Sequence, residues 1–194
     1  MSRVEENKQQ KQNSLMETAF QLFTSKGITN TTISEIVEMA GVAKGTFYLY
    51  FKDKYDLNEK LIIHRSQQLI RHALDFSGYE KLDTNTDKLL VIVDDILFQL
   101  KENPLLLRFL NKRISWEMFY KVIEKNEEGY AAVFENIPGP NDANRKNLEI
   151  ELFTIIEMVS ATSYSVILNS DPVSLEEYLP YLHRCIRAIV ACFH

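Results

Sequence analysis

From Leu15 onward, apolar residues return every three or four positions, and only glycines, prolines and short polar runs break the rhythm. That spacing predicts helices, whereas the alternating β-branched runs that mark strands are sparse. The chain therefore reads as all-α. Leu15, Ala19, Leu22 and Phe23 share one face of a first helix that stops at Gly27, with residues 1–12 helical only at their end. Thr32 followed by Glu35 is a capping box, which starts a second helix at Ile33. Ile36, Val37 and Ala40 continue its apolar face, and Gly41 ends it. A third, short helix spans about Lys44 to Tyr50, with Phe47 and Phe51 as its buried-type aromatics. Asp53 can cap a fourth helix that runs to about Phe76, roughly 35 Å at 1.5 Å per residue.

Beyond the polar run Asp83 to Thr86, a helix starts near Asp87. Leu89, Leu90, Ile92, Val93, Ile96, Leu97 and Leu100 make it apolar over a broad arc. Pro104 interrupts the pattern, and Leu105 to Leu110 begins a short helix. Ile114 to Lys125 follows, and then a piece with Tyr130, Val133 and Phe134. IPGPNDAN, residues 137–144, reads as a loop. Two long helices close the chain, about Arg145 to Leu168 and Leu175 to Phe193. Both mix large and small side chains on neighbouring faces, which suits close helix packing. Periodicity leaves open whether they complete a monomer core or form a four-helix dimer interface.

The second and third helices, joined by a glycine-containing turn, make a helix-turn-helix corner. Its residues suit a DNA major groove. Lys44 and the hydroxyls of Thr46, Tyr48 and Tyr50 can donate to phosphates, and Gly45 permits close backbone approach. The full string from Thr31 to Lys54, TTISEIVEMAGVAKGTFYLYFKDK, resembles the DNA-binding domain of TetR-type (tetracycline-repressor family, AcrR-like) transcriptional regulators. That family's pattern reads roughly T-x-x-I-A-x-x-A-G-V-S-K-G-T-x-Y-x-Y/H-F-x-x-K. Ala19, Leu22, Phe23 and Gly27 also match the family's A-x-x-L-F-x-x-x-G.

The resemblance implies a helix-turn-helix DNA-binding domain over residues 1–52 and a helical effector-binding and dimerisation domain over 53–194. Residues 53–76 would form the linking helix. It implies a sequence-specific regulator, a ligand-responsive repressor that binds a pseudo-palindromic operator as a homodimer through 145–168 and 175–193. Thr32, Lys44, Gly45, Thr46, Tyr48, Tyr50 and Lys54 are the expected DNA contacts. Two positions depart from the pattern. Ala43 stands where serine is usual, losing an N-cap hydroxyl worth ~1 kcal/mol. Leu49 stands where a polar or basic residue is common, which leaves a thymine methyl as its natural base contact. The contrasting reading is a helical protein-interaction or nucleoid-associated module without a small-molecule effector.

Charge changes this picture slightly. The net charge of −5 is unevenly spread: residues 1–60 hold eight basic and eight acidic groups, so residues 61–194 carry the whole deficit. A neutral head on an acidic body argues against a sequence-blind polybasic binder. Cys185 and Cys192 lie seven apart on one helix, about 10 Å and too far for an intrachain disulfide; a bridge between two chains stays open, and buried reduced thiols are the commoner case. The N-terminus lacks a signal-peptide core, and no apolar run approaches the ~20 residues that cross a bilayer. A cytoplasmic protein without membrane partners is the simplest expectation.

No nucleophile elbow, Walker loop, dinucleotide fingerprint or H-E-x-x-H motif occurs, so neither catalysis nor a cofactor or metal is expected. His64 and His72 are eight apart, and His183 and Cys185 point to different sides of a helix. For an effector pocket, the aromatics Phe98, Phe109, Trp116, Phe119, Tyr120, Tyr130 and Phe134 are the candidates. They would suit a small hydrophobic or aromatic molecule, although the same residues can simply fill a core. Asp94, Asp95, Glu117 and Glu157 would serve a cationic effector only if they face inward.

Overall fold

The computed structural model describes residues 3–74, 82–110 and 143–193. Every regular element among these residues is a helix: α1 (Arg3–Lys26), α2 (Ile33–Met39), α3 (Lys44–Tyr48), α4 (Lys54–Leu74), α5 (Asn85–Glu102), α6 (Pro104–Leu110), α7 (Ala143–Asn169) and α8 (Leu175–Phe193). The chain divides into two compact units, Met1–His64 and Arg65–His194, and the division falls inside α4.

In unit 1 the helix ends are set by local chemistry. α1 already begins at Arg3, well before residue 12. Its extra turns are rich in Glu, Gln and Lys, which are good helix formers, and Glu5 and Glu6 sit in the first turn, where the helix dipole favours negative charge. The expected capping box opens α2: Thr32 Oγ1 accepts from Glu35 N at 3.2 Å, and Glu35 Oε2 accepts from Thr32 N at 2.8 Å. Gly41, at φ +67°, closes it. Gly41 N donates to Glu38 O and Val42 N to Val37 O, the paired bonds of a Schellman motif. α3 starts at Lys44 behind Ala43, which supplies no side-chain cap, and ends at Tyr48, two residues early, where Leu49 N turns back to Thr46 O. Asp53 Oδ1 then caps α4 by accepting from Tyr55 N and Asp56 N at 2.8 and 2.9 Å. Leu15, Ile36, Phe47, Phe51, Leu57 and Leu61 are fully or almost fully buried. Each such side chain contributes about 1.5–3 kcal/mol.

Unit 2 is held mainly by aliphatic packing. Thr84 caps α5, accepting from Asp87 N at 3.0 Å, so this helix starts at Asn85. Asn103 Oδ1 accepts from Leu106 N at 3.0 Å, and Pro104 takes the first helical position of α6, where a missing N–H costs nothing. The core joins Leu89, Leu90, Val93 and Leu97 of α5 to Ile155 and Val166 of α7. α8 completes it with the stripe Leu175, Leu179, Leu182 and Ile186. Cys185 and Cys192 fall off that stripe. Both are free and exposed rather than buried.

One sequence expectation needs correction. The stretch Asn144–Asn169 within α7 is long and apolar enough to cross a bilayer by length and composition. Its Leu152, Ile155 and Val166 are buried within unit 2, whereas Ile150 and Phe153 are exposed. Residues 137–142 of the expected loop and the expected end of the fourth helix near Phe76 lie outside the described residues, and Ala143 and Asn144 are already helical.

Candidate functional site

The corner in unit 1 is built on Phe47, whose ring is fully buried and lies 5.5 Å from Phe51 and 5.4 Å from Tyr48. Burying Phe47 turns the opposite side of α3 to solvent. Lys44 and Gly45 are exposed, Tyr48 is 53% exposed, and Leu49, just beyond the helix, is 78% exposed. A Cβ built on Gly45 meets no atom within 4 Å, so nothing inside the protein demands glycine there. Thr46 is half-buried.

The remaining sequence-predicted contacts carry bonds within the unit. Thr32 is the α2 cap and is exposed. Tyr50 Oη donates to the Lys8 carbonyl at 3.1 Å. Lys54 Nζ donates to the Thr29 and Thr31 carbonyls at 2.9 and 2.8 Å, tying α4 to the loop between α1 and α2. Glu35 also accepts from Lys26 Nζ at 2.5 Å, a pairing the sequence did not suggest. The Lys26 bond first, and then the bonds from Thr32, hold the Glu35 carboxyl at a pKa of about 2.

Unit 2 holds an apolar cavity of about 100 Å³ among α4, α5 and α7. Leu69, Ile92, Ile155, Ile156 and Val159 are among its walls, and Ser66 and Ser160 are its hydroxyls. Ser66 is 5% exposed, and its hydroxyl has no hydrogen-bond partner among the described residues. The described lining is aliphatic. Of the predicted aromatic cluster, Phe98 is 39% exposed and Phe109 half-buried, and neither lines this cavity. Trp116, Phe119, Tyr120, Tyr130 and Phe134 lie outside the described residues, as does Glu117. Sequence reasoning passed over Ser66 because a serine between apolar helix positions looks like surface. Its signal was its place one turn from Ile62 and Leu69 on the apolar side of α4.

Two of the four acidic groups considered for a cationic effector, Asp94 and Asp95, are taken by neighbours. Asp94 Oδ1 lies 2.7 Å from His183 Nε2, and Asp95 Oδ2 lies 3.0 Å from His72 Nδ1 and 2.5 Å from Gln99 Nε2. No cluster of three or more His, Cys, Asp or Glu side chains suited to a metal occurs among the described residues.

Residues 15–61 match the family model for bacterial regulatory proteins of the tetR family. Over 61 residues the chain is 39% identical to the uncharacterized HTH-type transcriptional regulator YvdT of Bacillus subtilis, a match covering 31% of this chain and 29% of that relative. The match thus spans less than a third of YvdT. At the level of fold the likeness is wider. The fatty acid degradation regulator FadR from Bacillus halodurans superposes with a TM-score of 0.62 at 19% identity, covering 91% of this chain and 94% of that one. FadR from Bacillus subtilis, solved in complex with stearoyl-CoA, gives 0.57 at 19% identity, covering 89% and 96%.

Proposed function

From the premise that this chain is a TetR-type protein with its DNA-binding domain at residues 15–61, we propose a homodimeric, ligand-responsive repressor that reads a pseudo-palindromic operator. The observation that carries the reading is the outward face of α3. Lys44, Gly45 and Tyr48 are exposed together, and the space beside Gly45 is open. A helix placed in a major groove needs that surface. Thr32, Tyr48 and Lys54 are the phosphate-side contacts, with Lys44 and Thr46 nearest the bases.

Dimerisation through α7 and α8 is supported by apolar side chains left outside the unit 2 core. Ile150 and Phe153 of α7 are 43% and 46% exposed, and Tyr181 of α8 is 56% exposed. Two heads joined in this way meet half-sites about one turn of DNA apart. The chain works in the cytoplasm, where its operator is.

The effector site is the cavity among α4, α5 and α7. At about 100 Å³ it falls below the ~300 Å³ at which ligand pockets usually begin. A ligand of more than a few carbons therefore enters only by moving a wall. α4 is one wall and runs unbroken from Lys54 to Leu74 through the boundary of the two units. The ligand's preference for the displaced wall is then the free energy that lowers DNA affinity. An aliphatic lining with Ser66 as the hydroxyl suits a neutral apolar molecule with one polar atom. The stearoyl-CoA complex of the B. subtilis neighbour shows an acylated ligand in that protein and makes acyl compounds a sensible first panel here.

The experiment is selection of bound duplexes from a random pool, followed by competition with the compound panel. The reading predicts an enriched inverted repeat whose retention falls with at least one apolar compound. A pool that shows no enrichment would remove the DNA-binding half, and a flat compound response the ligand-responsive half.

A further inference from the structure

α1 runs three turns ahead of the segment that matches the family model, from Arg3 to Ser14. Val4, Asn7, Lys8 and Lys11 recur at intervals of three and four and so form one stripe on this extension. The stripe forms one side of a groove of about 510 Å³ whose other side is Thr46, Leu49 and Tyr50. The bond from Tyr50 Oη to the Lys8 carbonyl fixes the two sides together.

The chemistry of this groove is one-sided. Its polar side chains are Asn7, Lys8, Lys11, Thr46 and Tyr50, and no carboxylate lines it. Other lysines of unit 1 are engaged internally: Lys26 by Glu35, Lys60 by Asp56, and Lys54 by two carbonyls. Neither Lys8 nor Lys11 ion-pairs with a carboxylate among the described residues. The balance of eight against eight charges in the first sixty residues therefore conceals a local excess of positive charge beside α3.

We propose that this groove holds the sugar–phosphate backbone of one DNA strand, with Lys8 and Lys11 as phosphate contacts next to the bases that α3 reads. The inference rests on the DNA-binding reading above. Phosphates only accept hydrogen bonds, which matches a lining rich in donors. Val4 and Leu49, 64% and 78% exposed, meet the apolar edge of deoxyribose. The groove continues the α3 surface, because Thr46 and Leu49 belong to both. Such contacts add affinity without sequence information, and each one lost lowers the salt slope of log K by ~0.9.

The test uses the full-length protein and a duplex selected by the wild type from a random pool. In Lys8→Gln/Lys11→Gln, the slope of log K against log salt should fall by about 1.8 per bound head. Ethylation interference at phosphates on one strand beside the half-site should disappear, and reselection should return the same bases. Both lysines are exposed, and circular dichroism checks that the helices persist. An unchanged slope and interference pattern, with Lys44→Ala still weakening binding, would overturn the groove assignment and leave the DNA-binding reading standing. A wild type that retains no duplex would overturn both. Loss of polyglutamate binding in the variant with an unchanged DNA pattern would reassign the groove to an acidic peptide, and so overturn the proposal as well.

Discussion

Both units cap helix ends with polar side chains, as Thr84 and Asn103 do in unit 2, but they differ in what their buried polar groups do. In unit 1 polar groups are placed where the backbone needs them. Thr32 and Glu35 cap α2, Asp53 caps α4, and Lys54 closes the loop between α1 and α2. In unit 2, of two equally buried serines, Ser163 donates to the Ser160 carbonyl, while Ser66 sits in an apolar wall without a partner among the described residues. On the proposed reading, the surface that presents α3 to DNA is fixed by directional bonds, and the cavity that opens for a ligand is closed by contacts that are not directional and can slide. Unit 1 should therefore resist deformation, and unit 2 should hold the adjustable part.

The largest test of this contrast is Phe47→Ala. It removes the fully buried ring beneath α3 and should cost about 3–5 kcal/mol, read as a lower urea midpoint. Loss of DNA binding should accompany it. A change below 1 kcal/mol would mean that the corner is not held by its aromatic core.

Next comes a difference of sign. Thr32→Ala removes a cap and should destabilise by ~1 kcal/mol. Ser66→Ala removes a buried hydroxyl that makes no bond among the described residues and should stabilise by about 1 kcal/mol while weakening effector binding. If thermal unfolding moved in the same direction for both variants, the contrast would be lost.

Two glycines give a finer pair. Gly41 sits at φ +67°, so Gly41→Ala should cost about 1 kcal/mol. Gly45 lies within α3 with open space around it, so Gly45→Ala should add about 0.4–1 kcal/mol of stability. If close DNA approach is why glycine is there, the more stable variant will also bind operator less tightly. Equal DNA affinity would assign no binding role to Gly45.

The smallest effect is set by pH. Glu35 is held at a pKa of about 2, below the ordinary 4.5, chiefly by the bond from Lys26. A depressed carboxylate contributes stability that is fully present above 4.5 and is lost as pH falls through that window toward 2. Glu35→Gln should flatten the acid limb of a stability–pH profile over this range and leave neutral pH-dependence alone. An unchanged acid limb would mean that the pairing with Lys26 does not persist in solution.

Legibility followed the same division. The Thr32–Glu35 box, the Gly27 and Gly41 stops and the Asp53 cap could be read from short-range sequence because a few neighbouring residues decide each of them. The early start of α1 was missed because hydrophobic spacing is silent where a helix is polar all round, as over Arg3 to Asn13. In unit 2 the helix spans followed from period and punctuation, but the cavity did not. Which of many aliphatic residues on α5 and α7 fail to touch depends on how the helices cross, and periodicity carries no such information. Attention to aromatics led to Phe98, which is partly exposed, while the described walls are Leu, Ile and Val with two serines.

The central claim is that the exposed face of α3 reads DNA, and it is tested most directly by selecting duplexes from a random pool with the wild type beside Lys44→Ala/Tyr48→Ala. Both side chains are exposed, so the variant keeps its fold. An inverted repeat enriched by the wild type and not by the variant is the predicted result. Equal enrichment by both proteins, or by neither, would contradict it.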